Sequence, residues 1–340
     1  MPLSPMQRRR LDSFKRNRRG FWSLWLFLLL FGFSLCAEMI ANDKPLLINH
    51  QQQLHWPLLQ DYTEVDFGGE FALPVDYRDP YIQTLIEESG GWMIWPLVRF
   101  GHDTINYDLS QPAPSPPSPD NWLGTDDQGR DVLARVIYGF RISILFALAL
   151  TLASSVIGVC AGAVQGYYGG RIDLLFQRFI EIWSGLPVLF LLIILASLVQ
   201  PNFWWLLGIM LLFSWMSLVD VVRAEFLRGR NLEYVRAAKA LGLSDLRIMY
   251  RHVLPNAMIA TLTFMPFVFN SAIVTLTALD FLGFGLPPGS PSLGELVAQG
   301  KENLHAPWLG ITAFLSLATM LTLLIFIGEA VRDAFDPRKI

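Results

Sequence analysis

Apolar positions along this chain fall in long unbroken stretches rather than in the short alternating or amphipathic runs of a soluble core. Six of them, residues 21–41, 142–166, 179–199, 203–221, 257–279 and 308–328, each supply the about 20 apolar residues that a helix needs to cross a hydrocarbon core of about 30 Å. The pattern predicts an all-α, polytopic membrane protein with six transmembrane helices. The third run begins with Glu181 near its end, and only "QPN" separates it from the fourth. The first run is too long for a secretory leader and no small-residue cleavage site follows it, so it reads as an anchor. Four parts result: a basic terminus over 1–20, an anchor over 21–41, a polar segment over 42–120, and a core over 121–340 with five further membrane helices.

Inside the runs the pattern speaks mostly of packing. Ser154, Gly158, Gly162 and Gly166 recur every four residues and place small side chains on one stripe, where another helix can approach closely. Pro187 and Pro266 each remove a backbone hydrogen bond and should kink their helices. Pro266 lies near Asn270, Ser271 and Thr275, and these five residues are the candidates for lining a path. No ionisable side chain occupies the central turns of any run; Glu38, Glu181, Asp220, Asp280 and Glu329 all sit near ends. A proton- or sodium-coupled carrier usually needs such a group in the membrane, so the chain shows no energy coupling of its own. "GELVAQGKE" (294–302) has the wrong glycine spacing for a nucleotide-binding loop and Glu302 where a magnesium-binding hydroxyl should stand.

Composition agrees: the 340 residues are 53% hydrophobic and 16% charged, with mean hydropathy +0.39, which argues against a soluble globular chain. The net charge of −3 hides a segregation of sign. Seven arginines and lysines fall in the first 20 residues, two in 167–178, seven in 222–256 and three in the tail, whereas 42–140 contains 15 acidic residues. By the positive-inside rule both termini are cytoplasmic and 42–140 is extracytoplasmic. That outer segment carries a Pro-rich stretch, "QPAPSPPSP" (111–119), expected to be an extended polyproline spacer. After it, Val132, Leu133, Val136 and Ile137 share a helical face, expected either as a surface helix or as a docking element. Cys36 and Cys160 lie in apolar runs with no plausible disulfide or metal partner, and the five histidines show no ligand spacing. The residues present no catalytic constellation and no metal site.

One cytoplasmic loop, 233–257, is longer than a connection needs. Residues 233–241 are rich in helix formers, Gly242 stops that helix, and Ser244 can cap a second with Asp245 at its positive end. Leu246, Met249 and Val253 give the second helix an apolar stripe, and Pro255 should interrupt it before the fifth run. Two short helices joined at a glycine make a rigid knob, suited to docking on a cytoplasmic partner. A second capped helix is expected on the outside, where Ser292 and Glu295 form a capping box.

"RAAKALGLSDLRIMYRHVLPN" in that loop resembles the EAA loop of ABC-importer permeases. "NWLGTDDQGRDVLARVIYGFRIS" (121–143) and "LDFLGFGLPPGSPSLGELV" (279–297) look like the dipeptide and oligopeptide permease family. The resemblance covers about residues 120 to 340 and the first anchor. It implies the type I ABC-importer permease fold, in a bacterial inner membrane, with a large extracytoplasmic segment between helices 1 and 2. It further implies a second permease subunit, an ABC ATPase with two nucleotide-binding domains, and a periplasmic solute-binding protein. The substrate would be a peptide or a peptide-like antibiotic such as microcin C, membrane lipid would surround the chain, and nucleic acid has no part. No cofactor belongs to this chain; ATP and magnesium would sit on the ATPase. Glu233, Arg236, Ala237, Ala238, Ala240, Gly242, Ser244 and Asp245 are the residues this resemblance assigns to ATPase coupling. One departs from the family pattern: Arg236 stands where a glutamate precedes the two alanines, and Glu233, three residues earlier on the same face, is its candidate substitute. Two rival classes are a stand-alone secondary carrier, opposed by the uncharged helix centres, and a membrane-anchored enzyme working through 42–120.

Overall fold

The computed structural model describes residues 5–199 and 202–335; residues 200 and 201 of the "QPN" separator, and Arg338 and Lys339 of the basic tail, lie outside them. The described chain is mostly helical. Three elements come first, α1 (Pro5–Arg16), α2 (Arg18–Leu35) and α3 (Ala37–Ile40). A small mixed region follows with β1 (Leu47–His50), β2 (Gln53–His55), α4 (Pro80–Glu88) and β3 (Trp92–Ile94). The remainder is helical: α5 (Val132–Tyr168), α6 (Gly170–Ser184), α7 (Val188–Leu198), α8 (Phe203–Ser214), α9 (Met216–Gly229), α10 (Glu233–Ala240), α11 (Asp245–Ile248), α12 (Leu254–Phe281), α13 (Leu293–Glu302) and α14 (Pro307–Phe335).

Among the described residues, four helical stretches are long and apolar enough to cross a membrane: Val132–Tyr168, Phe203–Gly229, Asp245–Phe281 and Pro307–Phe335. The pair Gly170–Ser184 and Val188–Leu195, bent by 65°, makes a fifth if counted as one broken span. The bend falls at Pro187, which stands in extended conformation at the N-cap of α7, as its missing N–H and fixed φ favour. The 21–41 run is divided between α2 and α3 at Cys36 and is not among the four; α2 opens on Arg18 and Arg19, which dilute its apolar content.

By contacts the chain divides into two compact units. One comprises the described residues of Met1–Leu28, Ser143–Pro287 and Ala318–Ile340, the other Leu29–Ile142 and Pro288–Leu317. In the first, α5 and α9 meet along the small-residue stripe. A Cβ on Gly158 would lie 2.6 Å from the Trp215 carbonyl, one on Gly162 2.7 Å from that of Val219, and one on Gly166 2.5 Å from that of Arg223. The glycines step by four and so do the carbonyls, so backbone rides on backbone along both helices. Asp173 of α6 takes a two-point ion pair from Arg223 of α9, 2.5 and 2.8 Å.

The second unit departs most from the all-α expectation. Residues 47–94 fold a three-stranded antiparallel sheet of order β2-β1-β3, over a core of Ile48, Phe67, Tyr77, Ile82 and Ile86. The β1–β2 hairpin turns on Gln51 and Gln52, both at positive φ, 49° and 61°. Such turns are usually signalled by Asn-Gly or Asp-Gly, and Gln-Gln carries no such signal. The Pro-rich stretch is not a free spacer: Ser115 is buried, its N–H bonds Thr125 Oγ1 at 2.9 Å, and its carbonyl takes the Thr125 N–H at 2.9 Å. Nor do Val132, Leu133, Val136 and Ile137 form a separate surface helix. They are the first turns of α5, with Val132 and Val136 packed on Leu296, Ala306, Leu309 and Ala313, and Leu133 and Ile137 packed with Ala37 and Ala41.

Candidate functional site

Residues 233–257 fold as two helices closed by a left-handed glycine. At the end of α10, Gly242 sits at φ +80°, its N–H bonds the Lys239 carbonyl at 3.0 Å, and the Leu243 N–H bonds that of Ala238 at 3.2 Å. That pair is the Schellman arrangement, which satisfies the last carbonyls and requires a residue tolerant of positive φ. Ser244 takes the extended N-cap backbone of α11 but makes no capping side-chain bond. Asp245 accepts instead from Tyr167 Oη of α5 at 2.7 Å, and Arg230 Nη1 donates to the Tyr167 carbonyl at 3.2 Å.

Pro255 does not interrupt the second helix. A π-helical turn over Met249–Val253 precedes α12, with the Leu254 N–H bonding the Met249 carbonyl. The wider register accommodates a proline that has no N–H to continue the α ladder, so helix continues from Asp245 to Phe281.

Burial sorts the eight residues assigned to coupling. Ala238 faces its own chain: with Val235, Ile248, Val253 and Ala257 it packs against Ala163, Tyr167, Val222 and Phe226. Glu233, Arg236, Ala237, Ala240, Gly242 and Ser244 are exposed, and Asp245 is half-buried on Tyr167. The expected stripe of Leu246, Met249 and Val253 is divided. Val253 is buried, Met249 half-buried, and Leu246 is 77% exposed, because the π turn advances the helix by an extra residue between Ile248 and Leu254. Leu241 and Tyr250, which belong neither to the eight coupling residues nor to the expected stripe, are 81% and 75% exposed. Large apolar side chains on so short a segment were the available signal. Tyr167→Phe should remove one hydrogen bond to a carboxylate and lower stability by roughly 1.5–3 kcal/mol. Thermal unfolding of the purified chain reads this directly; an unchanged midpoint would show that the bond does not hold α11.

A second feature lies where α5, α8, α9 and α12 meet, a cavity of about 240 Å³. Of the five proposed path residues, Ser271 and Thr275 line it; Pro187, Pro266 and Asn270 do not. Pro266 stays within α12, and a Cβ on Gly328 of α14 would meet its ring at 3.1 Å. Ser154, read as a packing residue, lines the cavity, as do Ser214, Ser217, Phe213, Phe264 and Phe267. Four hydroxyls donate to helix carbonyls: Ser154 to Thr151 at 3.2 Å, Ser214 to Met210 at 2.7 Å, Ser217 to Ser214 at 2.8 Å, and Thr275 to Ser271 at 2.9 Å. With their protons so engaged, these oxygens retain lone pairs as acceptors.

In the other unit an ion network joins the start of α5 to α13. Gly129 at φ +82° turns the chain back so that Asp126 Oδ1 accepts from the Gln128 and Arg130 N–H groups at 3.0 and 2.9 Å. Asp126 then pairs with Arg130 at 2.6 Å, and Glu295 with Arg130 at 3.1 Å and Arg135 at 2.9 Å. Arg135 is fully buried, with a further bond to the Ser290 carbonyl at 3.1 Å. Burial works against charge on Arg130, but the Asp126 and Glu295 carboxylates outweigh it and hold the guanidinium above its usual value. Ser292 Oγ accepts from the Gly294 and Glu295 N–H groups at 3.1 and 3.3 Å and so caps α13. Among the described residues no group of three or more His, Cys, Asp or Glu side chains could hold a metal ion.

Residues 155–340, which include the knob and most of this helical bundle, match the family model described as binding-protein-dependent transport system inner membrane component. The chain belongs to that family. Like other such components it is a multi-pass inner membrane protein. It is 65% identical over 337 residues to the inner membrane ABC transporter permease protein YejE of Escherichia coli K12, covering 99% of this chain and 98% of that one. It is 58% identical to the peptidoglycan transport system permease protein YejE of Agrobacterium fabrum C58, covering 99% and 94%. The oligopeptide transport system permease protein OppC of Lactococcus lactis subsp. lactis IL1403 is 38% identical over 221 residues, 64% of this inner membrane component and 75% of that protein.

Proposed function

We propose that this inner membrane component is one of two permease subunits of an ATP-driven, binding-protein-dependent importer of peptides, and that it couples to a separate ATPase through residues 233–257. The observation that carries the reading is a rigid knob locked onto its own chain by the Tyr167–Asp245 bond and the Ala238 core, which leaves Leu241, Leu246 and Tyr250 exposed. Tyrosine is enriched at the desolvated centre of interfaces, and Leu241 and Leu246 would add apolar area that water leaves on docking. ATP and magnesium belong to the partner. Closure of the ATPase domains would move the knob, and nucleotide and substrate would then bias the same two states.

The topology that goes with this reading has six membrane passages: the 21–41 anchor, the bent α6–α7 pair and the four long helices. Both termini are cytoplasmic and 42–140 is outside, as the asymmetry of lysine and arginine supports. The α13 helix and the 121–138 segment then face the solute-binding protein or the outer gate. The relatives are named for oligopeptide and peptidoglycan transport, which share a peptide component, and the acceptor oxygens around the intramembrane cavity suit peptide N–H groups. A peptide-like antibiotic such as microcin C belongs to the same chemical class.

Leu241→Asp with Leu246→Asp tests the docking. Both side chains are exposed, so the chain should insert and unfold normally while ATPase co-purification and ATP-dependent uptake fall by at least about tenfold, as burying two unpaired carboxylates in the docked interface implies. Normal co-purification and uptake would reject the docking surface. Ala238→Glu is a different experiment, because it buries a charge in the chain's own core and should destabilise the permease itself. Within the exposed set, Glu233→Ala should weaken assembly more than Arg236→Ala, if Glu233 meets a basic side chain of the ATPase. The reverse ranking would move the contact to Arg236.

A further inference from the structure

The α1 helix has a basic face that the transport reading leaves unused. On a helical wheel Arg8, Arg9, Lys15 and Arg16 fall on one side with Asp12, the sole acidic residue of 5–19, while Met6, Leu11 and Phe14 fall on the other. All four cations are exposed, and among the described residues none of them is in an ion pair with a carboxylate. Met6 and Leu11 are 62% and 41% exposed, so the apolar edge is also open.

The helix is not a loose tail. Arg10 lies on its apolar side, with the guanidinium 4.5 Å above the ring of Phe335 at the end of α14, and α1 breaks from α2 only at Asn17, whose Oδ1 accepts the Gly20 N–H at 3.2 Å. Immediately beyond the break come Arg18 and Arg19, both exposed, and then Trp22 and Trp25, exposed at the start of an apolar helix. Tryptophans in that position mark the headgroup level of a bilayer. The cationic face is therefore held next to that level.

We infer that α1 is an interfacial helix that binds anionic phospholipid headgroups through Arg8, Arg9, Lys15 and Arg16, with Met6 and Leu11 dipping into the acyl boundary. The inference rests on the reading that α2 enters the membrane. An amphipathic helix with cations on the polar face and an open apolar edge lies in the interface plane, and clustered cations beside a membrane helix attract anionic headgroups. An acidic protein surface would satisfy the four cations but give no role to Met6, Leu11 and the neighbouring tryptophans.

The test is native mass spectrometry of the full chain released from nanodiscs with equal phosphatidylglycerol and phosphatidylethanolamine. Each headgroup contact near the surface contributes about fivefold in occupancy, so the wild-type chain should retain phosphatidylglycerol preferentially. The variant R8Q/R9Q/K15Q/R16Q, which keeps Arg18 and Arg19, should lose at least about tenfold of that preference. The wild type measured at roughly 1 M salt, where screening shortens to about 3 Å, should lose it too and needs no variant to fold. Equal retention of the two lipids by the wild type, or a preference indifferent to both variant and salt, overturns the inference. So does a variant that keeps its lipid preference but no longer co-purifies with the ATPase, which would assign the basic face to that subunit. Failure of the coupling reading shows separately, in the Leu241 and Leu246 variants.

Discussion

Replacing Gly162 with leucine is expected to abolish accumulation of the folded permease, while Gly208→Leu leaves it intact. Both glycines are within membrane helices, and hydropathy would favour leucine at either. They differ in what a side chain meets. A Cβ on Gly162 lies 2.7 Å from the Val219 carbonyl and 2.9 Å from the Val222 Cβ, whereas one on Gly208 meets nothing within 4 Å. Backbone atoms cannot rotate away as a side chain can, so α5 and α9 would have to separate, and the loss would reach Gly158 and Gly166. Overpacking typically destabilises by about 1–3 kcal/mol per site, and separation of a whole helix pair exceeds that. Detergent-soluble, monodisperse yield and thermal unfolding measure the effect, with Gly162→Ala falling between. A wild-type melting curve for Gly162→Leu would show that the two helices do not approach as described.

Glu295→Ala should destabilise the unit that contains it by about 3–5 kcal/mol, the range for removing one partner of a buried ion pair. Two arginines, Arg130 and Arg135, would then share the single carboxylate of Asp126, with Arg135 buried and its nearest remaining carboxylate oxygen 3.5 Å away. Adding Arg135→Met to that background should recover part of the loss, because it removes the uncompensated cation and retains apolar volume. Thermal unfolding of the wild type, single and double variants resolves the two steps. A double variant less stable than Glu295→Ala would mean that Arg135 matters through its bond to the Ser290 carbonyl rather than through its charge.

The parts of the site that could be read in advance share a property: each depends on near neighbours in the chain. Gly242 as a helix stop, Ser292 as a cap and the break at Pro187 follow from backbone chemistry within a few residues, and the structure shows a helix ending or beginning at each. Where local rules offer two outcomes, near neighbours do not decide between them. Pro255 is compatible with a break or with the first turn of a helix, and the π turn before it selects the second. The Gln51–Gln52 turn and the sheet it starts were invisible because neither glutamine favours positive φ; the pairing of β1 with β3 across more than forty residues holds them there.

From its sequence alone this protein was a polytopic membrane chain of the importer-permease type, with a basic loop long enough to fold into helices of its own. Long apolar runs, segregated lysine and arginine, and motifs in order are properties of the unfolded string, since burial in lipid is set by composition. Only the tertiary structure decided which face of each helix is spent internally. Ala238 and Leu246 are both apolar residues of one short segment, and one closes against Ala163 and Phe226 while the other is left open. Ser154 belongs to a cavity as well as a stripe, and Arg135, amid "VLARVI", is buried because Glu295, 160 residues away, is folded against it. A side chain's partner is fixed by where distant helices come together, and that requires the packed chain.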